Sequence, residues 1–354
     1  MGYPGGVRLA TIAVHSLGPF DDLELSFVDD VGAPRGATVL FGADGTGKTT
    51  LLTLLACTRP GCATAPLLPA RDGEKRRGGH VATSWLLLDD DGERPHPLLV
   101  ASPSAELAGE EPERAALRRR EQMFFDRRAQ DGKGFVFLSV SGARWFSRVP
   151  NLLSTPDRSV LRYDVRAPAS FDDATRADLS RDVKQTLSYA AIASALAPGG
   201  AWDPLTQALR DVLAVLLRPY GLEWVGVRPS TLEPELSTGD AKRVLFDDLP
   251  RGAKHLAAIG TLTVRALFSA YRDSARPVRM REGVVAVDDA ESQLDPPVQR
   301  ALVPLLVEAL PRVQWLLATS SPAIALGCGV SEVLALRTGD DGIEVHDGPL
   351  AVIH

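Results

Sequence analysis

Apolar positions along the chain switch between the period of a strand and the period of a helix. Val7–Val14 and Leu23–Phe27 read as two strands, with Leu17-Gly18-Pro19 as the turn between them. Thr38–Phe41 is a short β-prone run that ends on glycine. Thr49–Cys57 continues with helical character until Pro60-Gly61 closes it. Ala63–Gly79 reads as loop, basic at its end through Arg71, Lys75, Arg76 and Arg77. Val81–Leu88 is a strand that runs into the turn Asp89-Asp90-Asp91-Gly92. Glu106–Gln130 is charge-dense and helix-prone, and Phe135–Val140 is a strand. Ala174–Ala197 and Pro204–Leu217 predict amphipathic helices. Glu223–Val227 and Arg243–Phe246 look like strands, and Ala253–Ala270 is helical. Val284–Val287 is continuously apolar, the pattern of a strand buried on both faces. Val298–Leu310 predicts a helix, Val313–Ala318 a strand, Pro322–Gly327 a short helix and Glu332–Leu336 a last core strand.

Strand and helix thus alternate at both ends, and the middle is more helical. The fold class expected is α/β, with a mixed sheet flanked by helices and split in sequence by an insertion. The expected division is 1–105 and 218–354 for the two parts of one core, with an inserted, mainly helical lobe over 106–217. No internal repeat or sustained heptad pattern is present.

Two motifs carry chemistry. Gly42-Ala43-Asp44-Gly45-Thr46-Gly47-Lys48-Thr49 fits G-x-x-x-x-G-K-[ST] in full, after an expected strand and before an expected helix. Glycines there let successive backbone N–H groups turn inward around phosphate oxygens. The helix N-terminus adds partial positive charge, Lys48 a point charge, and the Thr49 hydroxyl a ligand for Mg²⁺. Thr50, the next residue, is counted with this nucleotide-binding set. The second motif is the apolar run ending in Asp288-Asp289. A carboxylate at the end of a buried strand needs a partner, and Mg²⁺ is the natural one. Asp288 is expected to hold the metal with Thr49, and Asp289 to orient or activate the attacking water. Lys48, Asp288 and Asp289 form the expected catalytic set, with ATP and Mg²⁺ as the expected cofactors.

With these residues in view, the chain resembles an ABC-type ATPase head, a P-loop NTPase of the RecF/SMC/OLD-like class. It is similar to the small AAA-labelled ATPases of bacterial DNA-repair and anti-phage defence operons. The turn Gly18-Pro19-Phe20 and the phosphate loop carry the resemblance at one end. Asp288-Asp289-Ala290-Glu291-Ser292-Gln293-Leu294-Asp295-Pro296 and Thr319-Ser320-Ser321-Pro322 carry it at the other. Leu249-Pro250-Arg251-Gly252-Ala253-Lys254 sits where such heads have their signature loop. The resemblance implies that Arg251 and the Gly252 N–H cap the ATP of a second head. It therefore implies a homodimer or higher oligomer through the ATPase heads and an effector protein partner. The basic runs Arg71–Arg77 and Arg118–Arg128 have two readings, a contact to DNA phosphate or solvated faces beside acids such as Glu110, Glu121 and Asp126.

Several positions depart from the pattern. Asp44 stands where Asn is usual, Asp289 where Glu is usual, Ser320 where His is usual, and Pro250 where Ser is usual. Gln122 is a poor match to the glutamine such heads carry in their Q-loop. Losing one transition-state donor typically slows a reaction by about 10²–10³. The departures imply retained ATP binding with slow, partner-triggered or absent hydrolysis.

Composition adds limits. Hydrophobic residues make up 45% and charged residues 24%, ordinary for a globular chain. The formal net charge of −6 argues against a general polyanion binder. The three cysteines, Cys57, Cys62 and Cys328, show no zinc or CxxC spacing. Met1–Gly6 carries no apolar run and no segment approaches the roughly 18 apolar residues of a span. A cytoplasmic protein with no membrane contact is expected. Three readings remain open on the sequence: a nucleotide-gated ATPase switch, a non-hydrolysing oligomeric scaffold, and the ATPase subunit of a transporter.

Overall fold

The computed structural model describes residues 7–61, 63, 79–87, 97–102, 110–130, 135–151, 153–155, 178–271, 274–339 and 342–348. The strands are β1 (Val7–Leu17), β2 (Phe20–Ser26), β3 (Ala37–Gly42), β4 (His80–Leu87), β5 (Leu98–Ser102) and β6 (Phe137–Val140). They continue with β7 (Leu222–Val227), β8 (Pro234–Thr238), β9 (Arg243–Leu245), β10 (Gly283–Val287), β11 (Val313–Thr319), β12 (Val333–Gly339) and β13 (Gly342–Asp347). The helices are α1 (Lys48–Cys57), α2 (Pro112–Gln130), α3 (Ser180–Leu196), α4 (Asp203–Leu216), α5 (Arg251–Ala270), α6 (Pro296–Ala309) and α7 (Pro322–Ala325).

A six-stranded sheet of order β13-β12-β3-β11-β10-β6 forms the centre. Its strands from β12 to β6 are mutually parallel, and β13 is antiparallel to β12. Successive side chains of these strands enter two different cores, as a pleat requires. Val285 and Val287 of β10 join one core, with Val313, Trp315 and Leu317 of β11 and Leu138 and Val140 of β6. Helices α3, α4, α5 and α6 cover this face. Val284, Ala286, Leu316, Ala318 and Phe137 point the other way, into a core shared with α1 and β1. Burial on both faces explains why β10 and β11 read as unbroken apolar runs.

The second face is closed by an antiparallel sheet of order β2-β1-β4-β5. A third antiparallel sheet, β7-β8-β9, lies on the helical side. The architecture is the expected α/β one, with a mixed sheet flanked by helices.

The span 106–217, expected as an inserted helical lobe, contributes a strand to the centre. β6 pairs in parallel with β10, Leu138 opposite Val285 and Val140 opposite Val287. Helices α3 and α4 share one continuous core with α5 and the sheet. The helix expected over Glu106–Gln130 begins at Pro112, and the one expected from Ala174 begins at Ser180. Most of Ala63–Gly79, including Arg71–Arg77, lies outside the described residues, as does Cys62. Trp145, just beyond β6, is half exposed. Among the described residues, no helix is long and apolar enough to cross a membrane.

Candidate functional site

β3 delivers Gly42 to the edge of the sheet, and the chain loops back into α1 at Lys48. A side chain at Gly42 has no room: its Cβ would lie 2.6 Å from the Leu336 carbonyl oxygen and 2.7 Å from Thr46 Oγ1. Gly47 sits at φ 84 and Gly45 at φ 81, in the left-handed region that glycine enters freely. Gly47 also packs so closely on Pro19 and Phe20 that a Cβ would meet them at 2.7 and 2.6 Å. The first turn of the chain therefore buttresses the phosphate loop. Ala43, Asp44 and Gly45 face solvent, while Thr46 is buried and donates to the Ala43 carbonyl at 2.8 Å. Lys48 is buried, its ammonium donating to the carbonyls of Gly42 and Ala43, each at 2.8 Å. No acidic residue lies in the first turn of α1, so its positive end is left to attract an anion.

The two acids stand across from this loop. The Thr49 hydroxyl donates to Asp288 Oδ2 at 2.9 Å. Asp288 is buried, and its Oδ1 has no hydrogen-bond partner among the described residues. Burial, with the neighbouring charge of Asp289 adding to it, pushes the Asp288 carboxyl up to about 6; the Thr49 hydrogen bond pulls the other way. A half-buried hydroxyl beside a buried carboxylate with one orphaned oxygen is an oxygen donor set suited to a hard divalent cation such as Mg²⁺. Asp289 takes φ 44, a strained conformation for a residue with a side chain. Its carboxyl is also raised, first by burial and then by Glu291, with Arg144 and Lys48 opposing.

Three residues at the site escaped the sequence reading. Gly142 lies so close to the Asp289 carboxylate that a side chain there would collide with it. Arg144 is buried and sends its guanidinium to the Asp288 carbonyl at 2.6 Å and the Asp289 carbonyl at 2.8 Å. His255 of α5 accepts from Arg144 Nε at 2.8 Å. Gly142 and Arg144 follow β6, and only the β6–β10 pairing reveals that they border the acids.

The remaining expected positions divide. The Ser320 hydroxyl and N–H both donate to Glu291, at 2.7 and 2.9 Å, and Thr319 donates to the same carboxylate at 2.6 Å. Pro250 is the N-cap of α5, Arg251 is exposed, and Gly252 is buried beneath the Tyr220 hydroxyl and the Gln293 carbonyl. This packing joins the start of α5 to the loop that follows the two acids. Among the described residues, no hydrogen bond joins Arg251 or Gly252 to the loop Gly42–Thr50. Arg118 of α2, part of a basic run, is buried and ion-paired with Glu110 at 2.8 Å. The side chains of Arg127 and Arg128 lie outside the described residues.

Sheet order, phosphate loop and paired acids together define the fold of an ABC-type ATPase head. The similar solved structures include SMC heads. An Smc head bound to the C-winged helix domain of ScpA matches with a TM-score of 0.52 and 12% identity, over 98% of this chain and 100% of that one. The SMC head domain from Thermotoga maritima matches at a TM-score of 0.49 and 13% identity, over 96% of this chain and 98% of that one. No family model and no curated protein matches the sequence.

Proposed function

We propose that this chain binds Mg²⁺–ATP through Gly42–Thr50 and Asp288 and works as a nucleotide-gated switch with slow or partner-triggered hydrolysis. The observation that carries the reading is the Thr49–Asp288 hydrogen bond, with the second Asp288 oxygen buried and, among the described residues, without a partner beside the phosphate loop. Backbone N–H groups of Ala43–Thr50 and the N-terminus of α1 bind the phosphates. Lys48 exchanges its two loop carbonyls for phosphate oxygens. Thr49 and Asp288 hold Mg²⁺, which when bound neutralises phosphate charge. Asp289 orients the attacking water; one methylene shorter than glutamate, it reaches less far. Its raised carboxyl makes it a better proton acceptor than an ordinary aspartate.

Arg251, exposed at the start of α5, and the N–H of the buried Gly252 beside it then serve a second copy, which makes the ATP-bound form a head-to-head dimer. A two-fold arrangement is the simplest closed form. An effector protein that responds to dimer closure completes the reading. DNA repair and anti-phage defence, in the cytoplasm, are the settings that the sequence resemblance supports. A docked protein on a related fold, as in the Smc head bound to a ScpA domain, is consistent with such a partner.

The reading is tested by ATP turnover and light scattering on wild type and Asp289→Asn. Phosphate release by the wild type, with an ATP-trapped dimer in Asp289→Asn, supports it. One observation favours a second reading, an ATP-dependent scaffold without turnover. Ser320, at the switch position, spends both its hydroxyl and its N–H on Glu291. ATP-dependent dimerisation with no phosphate release, with or without DNA, selects that reading.

A further inference from the structure

Arg144 carries a buried positive charge that no step above uses. Its Nη1 donates to the Ser141 carbonyl at 2.9 Å and the Asp288 carbonyl at 2.6 Å, and its Nη2 donates to the Asp289 carbonyl at 2.8 Å. Its Nε donates to His255 Nδ1 at 2.8 Å. Four of the hydrogen bonds that a guanidinium fork can make are thus spent in one place, on three separate elements. The acceptors include no carboxylate oxygen, although Asp288, Asp289 and Glu291 all act on the group through space. Burial lowers the guanidinium to about 10, which still leaves it charged at neutral pH. His255 is held down to about 3, by burial first and by Arg144 next, so the ring is neutral and Nδ1 is an acceptor. Its proton then sits on Nε2, which is buried and has no hydrogen-bond partner among the described residues. Phe146 packs edge-on against the ring at 5.1 Å and fixes its orientation.

The site has a reason to need such a clamp. Asp289 is strained at φ 44 just past the end of β10 at Val287, in a turn where Ala290 N–H donates to the Ala318 carbonyl and Ser292 N–H to the Asp289 carbonyl, each at 2.9 Å. Asp288 N–H is tied to Val140 of β6, and Arg144 is the side chain that bridges the two successive carbonyls of Asp288 and Asp289. His255 lies one turn inside α5 from Gly252. The same guanidinium therefore touches the acid turn and the helix whose start Gly252 forms.

We propose that Arg144, oriented by His255, is a positioning residue that holds the Asp288-Asp289 turn in its metal- and water-directing conformation and ties that turn to α5. This rests on the Mg²⁺–ATP reading of the site. Lysine at position 144 keeps the charge but presents a single nitrogen, which cannot span two carbonyls and an imidazole. Asparagine at position 255 keeps an acceptor where Nδ1 lies, and leucine removes it.

The experiment compares wild type, Arg144→Lys, His255→Asn and His255→Leu in four readouts: melting temperature, ATPγS affinity, the Mg²⁺ concentration that half-saturates ATPγS binding, and kcat. Outer-shell partners of a metal site typically change affinity or activity by about 10–100-fold. Arg144→Lys and His255→Leu are expected to raise the half-saturating Mg²⁺ and lower kcat by about 10-fold or more. His255→Asn is expected to recover most of both, and metal-free ATPγS affinity is expected to hold within about 3-fold, since the phosphate loop is untouched. Wild-type Mg²⁺ dependence in Arg144→Lys overturns the proposal. So does equal loss in His255→Asn and His255→Leu, or a fall in metal-free affinity that tracks melting temperature. If the wild type binds ATPγS but releases no phosphate, the hydrolysis reading fails by itself, and the Mg²⁺ dependence still decides the clamp.

Discussion

Asp288 is placed where ionisation opposes folding and favours binding. Its carboxyl moves from 3.8 to about 6, chiefly because the charged form loses water. Between those values the folded chain binds the proton that the unfolded chain has released. Stability therefore falls as pH rises through that window and stays lowered above it, by roughly 2–3 kcal/mol for this group. Two outcomes follow for thermal melts of the metal-free protein. Asp288→Asn raises the melting temperature near neutral pH, because it removes a buried charge, and it abolishes the stabilisation by Mg²⁺–ATP. In the wild type, Mg²⁺ raises the melting temperature more near neutral pH than near about pH 5, where the carboxyl is protonated and a poor ligand. A melting temperature that drops in Asp288→Asn, or a Mg²⁺ shift independent of pH, contradicts this account. The acid pair and the phosphate loop were legible in the sequence because each is a contiguous string with one mechanism. Arg144 was not, because its role comes from a guanidinium meeting carbonyls across a strand pair. Ser320 was legible as a position but not in its hydrogen bonds to Glu291, which depend on where the turn after β10 points.

At the scale of elements, close approach decides which residues are replaceable. Gly260 brings α5 against α4: a Cβ there would meet Leu216 Cδ1 at 2.7 Å and Val212 Cγ1 at 3.1 Å. Gly260→Val is expected to overpack this contact and cost about 1–3 kcal/mol, seen as a lower melting temperature with ATP affinity unchanged. Unchanged stability would show that α4 moves aside without penalty. Gly42→Ala is expected to act differently. Its Cβ meets the Leu336 carbonyl, which belongs to a central strand and cannot retreat, so the loop shifts and ATP binding falls. The fully buried strands and the long helix were legible from their patterning, since β10, β11 and α5 are apolar in the pattern their burial requires. β5, β8 and β13 are short or only half buried, so their alternation is weak. β6 was read as a strand but assigned to an insertion. Pairing between Phe137–Val140 and a strand near residue 284 is a long-range choice that no local pattern encodes.

For the whole molecule, the sheet gathers the chain's two ends and its middle around one edge. β3 and β10 bring the phosphate loop and the acids together, β6 brings Arg144, and α5 carries the signature-like loop away on the same helix that holds His255. On the proposed function, this geometry gives a head whose ATP is completed by a second copy. Light scattering is then expected to show twice the monomer mass for Asp289→Asn with Mg²⁺–ATP, and the monomer for Arg251→Glu, which opposes phosphate charge at the seam. Everything else depends on the nucleotide, so the most direct measurement is calorimetric titration of ATPγS with Mg²⁺ into wild type and Lys48→Ala. Charge-assisted hydrogen bonds contribute about 1.5–3 kcal/mol, so the account predicts saturable binding to the wild type and at least about 10-fold weaker binding to Lys48→Ala. A wild type that binds no nucleotide, or a Lys48→Ala variant that binds it equally well, would contradict it.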